Sequence, residues 1–179
     1  MSEDYYYQLD KGVYTESEPT EYYKFKYEAD NFQKWGFKAI EESHNILVTA
    51  HTGAGKTALA IYAIAKWLYT SQAQIIYCSP IKALSNQKYK EFLELFDKNN
   101  SSEEISSSNI GILTGDVKVN PNARVVIMTA EILRNSLLQS KKVNESYDFS
   151  FNSNNVKCVI LDEVHFINNP ERGRVWEEI

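Results

Sequence analysis

AHTGAGKT, at residues 50–57, is the stretch of sequence that decides the fold. Residues 45–50 have the apolar, β-branched content of a buried strand, and residues 56–69 are apolar on nearly every side, which is typical of a buried helix. A strand that leads through a tight glycine turn into a helix attracts phosphate, because the N–H groups of the turn and the positive end of the helix dipole face the same point. The segment therefore predicts a P-loop nucleotide site.

Each residue type in this loop suits the binding of ATP and magnesium. Gly53 and Gly55 let the backbone approach the phosphates, Lys56 is expected to reach the β- and γ-phosphates, and the Thr57 hydroxyl is expected to bind Mg²⁺. The strict pattern has glycine at the position of Ala50, so the alternative is a surface turn with a chance Gly-Lys-Thr. The loop residues expected to contact ATP are His51, Thr52, Gly53, Ala54, Gly55, Lys56 and Thr57.

Two carboxylates follow a second apolar segment, VKCVIL at residues 156–161. Magnesium needs a carboxylate opposite a P-loop, so Asp162 is the candidate metal ligand. Glu163 is the candidate base that orients and deprotonates the attacking water. Taken alone, an Asp-Glu pair after a strand is most often a solvated strand end; its presence in the same short chain as a P-loop favours the catalytic interpretation.

The rest of the chain alternates between strand and helix patterns. Strands are predicted at residues 74–78, 110–113, 125–128 and 156–161, and helices at residues 32–42, 82–96 and 130–139. Such alternation predicts an α/β fold with a mostly parallel sheet and helices on both faces. Two polar segments rich in Ser and Asn, residues 99–109 and 140–155, are predicted surface loops.

The formal charge of −5 is concentrated at one end of the chain. Residues 1–30 contain eight acidic and three basic residues, whereas the remainder contains sixteen of each. We therefore expect an acidic, tyrosine-rich leader at residues 1–26 and one nucleotide-binding domain at residues 27–179. Because no strongly basic face is present, contacts with nucleic acid must come from individually placed groups.

Other features of the sequence limit the class of protein. Cys78 and Cys158 each lie in an apolar run, as buried structural thiols do, so neither a disulfide nor a metal role is expected. No apolar stretch is long enough to span a bilayer, and no membrane contact is expected. The N-terminal residues lack a basic, apolar secretion signal, so we expect an intracellular protein, in the cytoplasm rather than the nucleus.

Several segments together resemble a known family. Asp162 opens the sequence DEVH, which with the upstream HTGAGKT looks like the first RecA-like domain of superfamily 2 DExH-box RNA helicases, specifically the Ski2-like group (Ski2 and Mtr4). SPIKALSNQKY at residues 79–89 resembles motif Ia of that group, and GILTGDV at residues 111–117 resembles motif Ib. MTAEILR at residues 128–134 and ERGRVWEE at residues 171–178 match further segments, so the resemblance runs from about Tyr27 to Ile179.

The resemblance implies roles for three more residues near the nucleotide. Tyr27 occupies the position of an aromatic that stacks on adenine, although it is also one more tyrosine of a tyrosine-rich leader. Gln33 occupies the position of a glutamine that reads the edge of adenine. His165 corresponds to a residue that senses nucleotide by hydrogen bonding to a second motor lobe, with the capping of a strand end as the alternative.

The same resemblance implies a surface for RNA. Hydroxyls, amides and backbone N–H groups at strand ends, helped by Lys82 and Arg134, hold phosphates without reading base sequence. The alternative is that Pro80 only starts a helix whose wet face carries Ser85, Asn86 and Gln87. The residues assigned to nucleic acid are Ser79, Pro80, Lys82, Asn86, Gln87, Thr114, Gly115, Asp116 and Thr129.

The resemblance to the Ski2-like group implies that the chain is the ATP-binding lobe of an RNA helicase that couples ATP hydrolysis to 3′–5′ movement in RNA decay or processing. A Ser-Ala-Thr-like motif and the second RecA-like lobe of the family are not in these 179 residues. The lobe is therefore expected to be incomplete at its C-terminal end and inactive in unwinding by itself. The alternatives are a superfamily 2 DNA helicase lobe and a nucleotide-binding module without helicase activity.

Overall fold

The computed structural model describes residues 12–98, 107–139 and 153–179. The chain divides into two compact units, with the boundary between Lys66 and Trp67. The predicted polar loops fall largely outside the described residues, as do residues 1–11 of the predicted leader. No helix in the described ranges is both long enough and apolar enough to cross a membrane.

The first unit contains helix α1 (Asn31–Glu41) and the start of helix α2 (Thr57–Thr70). Helix α1 is amphipathic and buries Phe37 and Ile40. The Phe37 ring stacks on Tyr62 of α2, with 4.6 Å between ring centroids. The two helices are therefore joined by packed aromatic rings.

A buried lysine also holds these two helices together. Lys66 of α2 is only 4% exposed, and its Nζ donates to the carbonyl of Glu41 at 3.0 Å and to the Ser43 hydroxyl at 2.7 Å. It also donates to the carbonyl of Ile40. The last carbonyls of a helix have no partner within the helix, so Lys66 satisfies the C-terminal end of α1.

The described part of the acidic leader packs against α1. Tyr14 is buried and meets Trp35 edge to face, with ring centroids 4.9 Å apart. Its backbone N–H donates to Asn31 Oδ1 at 2.9 Å. Glu16 pairs with Lys38 at 2.6 Å, so acidic residues before α1 neutralise basic residues on it.

The second unit contains a five-stranded sheet in the order β3-β2-β4-β1-β5. Strands β1, β2, β4 and β5 are parallel, and the short β3 is antiparallel to β2. The prediction of a mostly parallel sheet is confirmed. The strands are β1 (Gln74–Ser79), β2 (Ile110–Leu113), β3 (Lys118–Val119), β4 (Val125–Thr129) and β5 (Val156–Leu161).

Helices cover both faces of this sheet. Alternate residues of a strand face opposite sides, and Cys78 of β1 lies in a cluster with Leu133 and Trp176, whereas Tyr77 meets Phe92 at 5.2 Å. Leu133 and Trp176 belong to helices α4 (Ala130–Gln139) and α5 (Gly173–Glu177), and Phe92 belongs to α3 (Lys82–Lys98). Short 3₁₀ turns lie at Ser107–Asn109, Ser153–Asn155 and Val164–Asn168.

The prediction of a buried strand at residues 45–50 is wrong. These residues form neither strand nor helix in the described structure, and Leu47 is 76% exposed. A strand is held by backbone hydrogen bonds to a neighbour, and the strands of the described sheet pair only with one another. The apolar composition of residues 45–50 is typical of a strand, but no described strand pairs with this segment.

Candidate functional site

The glycine turn before α2 has the backbone that a P-loop requires. Gly53 and Gly55 have φ angles of +84° and +81°, which side chains rarely tolerate. A Cβ on Gly55 would also lie 2.7 Å from Nε2 of Gln33. Helix α2 begins at Thr57, and the N–H of Ala58 donates to the Gly55 carbonyl at 3.0 Å. The predicted turn at a helix N-terminus is present, although no strand precedes it.

The predicted phosphate-binding lysine lies against its own loop. Lys56 Nζ donates to the carbonyls of Ala50 at 2.8 Å and His51 at 3.0 Å. His51, Thr52 and Gly53 are exposed residues. A negatively charged phosphate forms stronger, charge-assisted hydrogen bonds with an ammonium than neutral carbonyls do, so phosphate at this loop can take Lys56 from its present partners.

The two residues assigned to adenine differ in exposure. Gln33 is 2% exposed, and both ends of its amide are used within the chain: Oε1 accepts from the N–H of Asp30 and Nε2 donates to the Gly55 carbonyl, each at 3.0 Å. Tyr27 is 52% exposed and has Phe25 beside it at 5.3 Å. Burial raises the pKa of Tyr27, and its hydrogen bond with Gln33 acts in the opposite direction. The adenine contacts stay predictions; the structure shows Gln33 bonded to the P-loop.

In the second unit, Asp162 lies immediately after β5 and is held by three hydrogen bonds. Its N–H donates to the Cys78 carbonyl at 2.9 Å, Oδ1 accepts from the N–H of Glu163 at 3.0 Å, and Oδ2 accepts from the Tyr77 hydroxyl at 2.5 Å. Burial first, and then the negative charge of Asp162, raise the pKa of Tyr77 above its ordinary value. Tyr77 therefore stays protonated and donates to the carboxylate.

Glu163 has an unusual backbone conformation for its residue type. Its φ of +53° and ψ of +43° are left-handed, a conformation that costs a residue with a side chain roughly 1–2 kcal/mol. The 3₁₀ turn Val164–Asn168 follows at once, and the N–H of Phe166 donates to the Glu163 carbonyl at 3.0 Å. Glu163 Oε2 lies 3.1 Å from Nδ1 of the exposed His165. Strained backbone is common at active sites, so this conformation fits a catalytic residue.

The oxygen atoms of Asp162 and Thr57 suit a magnesium ion whose remaining ligands are phosphates and water. They do not suit a metal ion that is bound by protein side chains alone. Magnesium is commonly bound through one or two carboxylates with substrate phosphates and water completing the shell. Among the described residues, no group of three or more His, Cys, Asp or Glu side chains could hold a metal ion. Asp162 and Thr57 each supply a hard oxygen, and each Asp162 oxygen accepts one described hydrogen bond and so keeps a lone pair.

A cleft of about 510 Å³ in the second unit contains part of the predicted nucleic-acid surface. Lys82 Nζ lies 2.6 Å from Oδ2 of Asp116, and a Cβ on Gly115 would lie 3.1 Å from the same Nζ. The segments resembling motifs Ia and Ib are therefore in contact. The cleft is lined by Ile81, Lys82, Ala83, Gly115, Thr129, Glu131, Ile132 and Arg172.

Several residues assigned to nucleic acid are inside the protein rather than on this surface. Ser79 is fully buried, with its hydroxyl 2.6 Å from the Ser85 hydroxyl, and Pro80 is also buried. Thr114 is buried and its hydroxyl accepts from the N–H of Val117 at 3.1 Å. The Ser79 hydroxyl lies inside the core beside Ser85 of α3, so it is not on the cleft surface, and the assignment of Ser79 to nucleic acid stays a prediction. Thr129 lines the cleft although it is mostly buried.

The remaining assigned side chains are accessible to different degrees. Gln87 and Asp116 are exposed, and Asn86 is partly exposed. Arg134, considered as a further phosphate contact, instead pairs with the carboxylate of Glu178. Arg174 first, and then Arg134, lower the pKa of that carboxyl.

Two residues of the cleft, Arg172 and Glu131, have no role that the sequence predicts. Arg172 Nη1 donates to the Pro80 carbonyl at 2.9 Å, and its Nη2 lies 3.6 Å from Oε1 of Glu131. Arg172 thereby links the turn before α3, the start of α4 and the turn before α5. Its segment, ERGRVWEE, resembles the family, but the resemblance assigns Arg172 no role. Nothing local in the sequence indicates that the arginine returns to a proline 92 residues earlier.

Comparison with known proteins agrees with these observations. The sequence matches the family described as DEAD/DEAH box helicase over residues 30–179. It is 44% identical to the antiviral helicase SKI2 of Saccharomyces cerevisiae over 86% of this chain, and 42% identical to the ATP-dependent RNA helicase mtr4 of Schizosaccharomyces pombe over 86%. It is 42% identical to the exosome RNA helicase MTR4 of Homo sapiens over 83%. The chain covers only 10% to 12% of the length of these relatives.

Solved structures show the same fold. The chain superposes on the Mycobacterium smegmatis helicase Lhr bound to ssDNA and AMP-PNP with a TM-score of 0.53 and 28% identity, over 81% of this chain and 19% of that one. The Sulfolobus solfataricus SWI2/SNF2 ATPase core in complex with dsDNA gives a TM-score of 0.50 at 16% identity, over 89% of this chain and 31% of that one, which indicates the fold alone. With its glycine turn, its Asp-Glu strand end and a family match over residues 30–179, this chain belongs to the DEAD/DEAH box helicases.

Proposed function

We propose that this chain is the ATP-binding motor lobe of an ATP-dependent RNA helicase of the Ski2-like group. The observation that carries the proposal is the pair of segments found in the two units: a glycine turn with Lys56 at the start of α2, and Asp162-Glu163 at the end of β5. Both segments have the backbone and side-chain chemistry that binding and hydrolysis of ATP require.

The proposed roles follow from the chemistry of each group. Lys56 and the loop N–H groups would bind the phosphates, and Thr57 in the first unit and Asp162 in the second each carry an oxygen that would bind magnesium. Bound magnesium supplies positive charge that offsets charge developing on the phosphates. Glu163 orients the attacking water and accepts its proton. His165, exposed beside Glu163, is proposed to report nucleotide state to a second RecA-like lobe.

RNA is the proposed substrate because the similar curated proteins named above are RNA helicases. The cleft contains one lysine and one arginine, each near a carboxylate, together with Thr129 and Gly115. Such groups hold a sugar-phosphate backbone without reading bases. We further propose, on the family resemblance alone, 3′–5′ movement in RNA decay or processing. A cytoplasmic location is a separate proposal.

A DNA helicase lobe is the second candidate. The Lhr structure that resembles this chain is bound to ssDNA, which favours keeping this alternative. A phosphate-binding cleft alone does not distinguish RNA from DNA, because the 2′-hydroxyl is the group that differs.

The test is the ATPase rate of the full-length protein that contains this lobe, with single-stranded RNA and with single-stranded DNA of the same sequence. We expect stimulation by RNA, no ATP binding by Lys56→Ala, and ATP binding without hydrolysis by Glu163→Gln. Stimulation by DNA alone would refute the RNA assignment. Normal hydrolysis by Glu163→Gln would refute the role of the base.

A further inference from the structure

Tyr77 is a buried residue whose hydroxyl reaches the candidate metal ligand. It is 1% exposed in the middle of β1, and its hydroxyl donates to Oδ2 of Asp162 at 2.5 Å. In the parallel pairing of β1 with β5, Tyr77 lies opposite Ile160. Asp162 follows two residues later, and its N–H continues the pairing to the Cys78 carbonyl at 2.9 Å. Strand pairing therefore fixes the backbone of Asp162, and Tyr77 contacts its side chain.

The Tyr77 ring is itself fixed by aromatic packing. Its edge meets Phe92 of α3 at 5.2 Å with an interplanar angle of 87°, and Phe92 meets Phe96 at 6.2 Å. Both phenylalanines are fully buried. A close-packed interior holds a side chain in one rotamer, so the Tyr77 hydroxyl is presented to Asp162 from a constant position.

The two hydrogen bonds to the Asp162 carboxylate come to different oxygens. Oδ1 accepts from the N–H of Glu163 and Oδ2 accepts from Tyr77, so the carboxylate cannot rotate without losing one of them. Each oxygen retains a lone pair that can face a metal ion or a metal-bound water. Partners that hydrogen-bond to a metal ligand orient it, and their removal typically weakens metal binding.

We propose that Tyr77 is a positioning residue for magnesium: its hydroxyl holds the Asp162 carboxylate in the orientation that binds the ion accompanying ATP. This inference rests on the proposed function. It extends that function by adding a residue from β1, a strand that contributes no side chain to the predicted nucleotide site.

A purely structural explanation is that any buried tyrosine needs a partner for its hydroxyl. The chain contains a matched control for this explanation. Tyr62 is fully buried on α2, and its hydroxyl donates to the carboxylate of Glu41, which is not a candidate metal ligand. Tyr77→Phe and Tyr62→Phe each remove one buried hydroxyl from a carboxylate and keep the ring. A structural role predicts the same outcome for both variants.

The experiment measures how strongly the protein binds an ATP analogue with a fluorescent ribose substituent, once with magnesium and once with EDTA. The ratio of the two affinities is the magnesium effect. In Tyr77→Phe we expect this effect to fall about tenfold or more, with the affinity in EDTA unchanged. In Tyr62→Phe we expect the wild-type ratio of the two affinities. Thermal unfolding should show that both variants are less stable than the wild type.

A magnesium titration at fixed nucleotide separates the proposal from misfolding, since a partly unfolded sample changes the amplitude but not the midpoint. A wild-type midpoint in Tyr77→Phe would overturn the proposal, and so would an equal shift of the midpoint in Tyr62→Phe. If Asp162→Asn loses the magnesium effect while Tyr77→Phe retains it, the inference fails and the proposed function stands. If the wild-type protein does not bind the analogue, the proposed function itself fails and the inference fails with it.

Discussion

The side-chain amide of Gln33 donates a hydrogen bond to the backbone carbonyl of Gly55 over 3.0 Å. The same amide accepts from the N–H of Asp30, which precedes α1. The N-terminal end of α1 and the glycine turn are therefore joined through one buried side chain. The shape of the turn depends on Gln33 whether or not Gln33 also contacts a nucleotide.

We expect Gly55→Ala to be more harmful than Gly53→Ala. Both glycines have a left-handed φ, which costs alanine roughly 1–2 kcal/mol, but only the new Cβ at Gly55 would lie 2.7 Å from Gln33 Nε2. Denaturant unfolding and ATP-analogue affinity would measure the difference. In a double-mutant cycle, Gln33→Ala should recover part of the Gly55→Ala loss. Strict additivity of the two substitutions would contradict this explanation.

Replacing the buried lysine of α2 should destabilise the first unit. Lys66→Met removes the hydrogen bonds from Nζ to the carbonyls of Ile40 and Glu41 and to the Ser43 hydroxyl, and a hydrogen bond to a charged group contributes about 1.5–3 kcal/mol. The free energy of unfolding, measured in urea, should fall by that order. The exposed Lys90→Met is the control and should change it by less than about 0.5 kcal/mol. Equal effects of the two variants would show that the hydrogen bonds of Lys66 do not matter.

Removing the negative charge of Asp116 should tighten the binding of RNA. Asp116 pairs with Lys82 at 2.6 Å. RNA phosphate must break this exposed ion pair before it can bind Lys82, and the pair lowers the affinity for RNA by a factor of about two to five. Asp116→Asn should therefore bind single-stranded RNA about two- to fivefold more tightly. Lys82→Ala should bind more weakly and reduce the slope of log affinity against log salt by roughly 0.7. Weaker binding by Asp116→Asn would mean that this carboxylate supports the RNA contact directly.

The contact between α4 and α5 should depend on pH through Glu178. Arg174 and Arg134 lower the pKa of its carboxyl below the ordinary 4.5, so the folded protein binds this proton more weakly than the unfolded chain does. The stabilisation is present above pH 4.5 and is lost as the pH falls through the lowered value. Glu178→Gln should melt at a lower temperature than the wild type at neutral pH and at the same temperature in strong acid. A melting difference that persists in strong acid would exclude this ion pair as its source.

The elements of the sheet could be predicted because each is a short apolar run between polar residues. Strands β1, β2, β4 and β5 and helices α1 to α4 lie within two residues of their predicted bounds. The two-residue strand β3 was not predicted, since Lys118 and Val119 show no pattern. The position of β1 between β4 and β5 also needed the structure, because strand order depends on crossovers between distant segments.

The site was predictable where its chemistry is local and not where it is assembled from distant residues. The glycine turn and the Asp162-Glu163 pair are each a continuous stretch of sequence, so the roles proposed for them follow from residue type and spacing. The bond from Tyr77 to Asp162 joins residues 85 positions apart, and neither neighbourhood indicates it. Ser79 is a similar case: the sequence places a hydroxyl at a strand end, and only the structure shows that its partner Ser85 is inside the protein.

The parallel register of the three strands β4, β1 and β5 has a consequence for how this lobe can diversify. Ser79 pairs with Thr129 on one side, and Cys78 pairs with Leu161 on the other, directly before Asp162. The spacing between the cleft beside Thr129 and the proposed catalytic carboxylates is thus set by main-chain pairing. Substitutions of side chains that preserve this pairing can change the lining of the cleft. The distance between the cleft and Asp162 then stays the same.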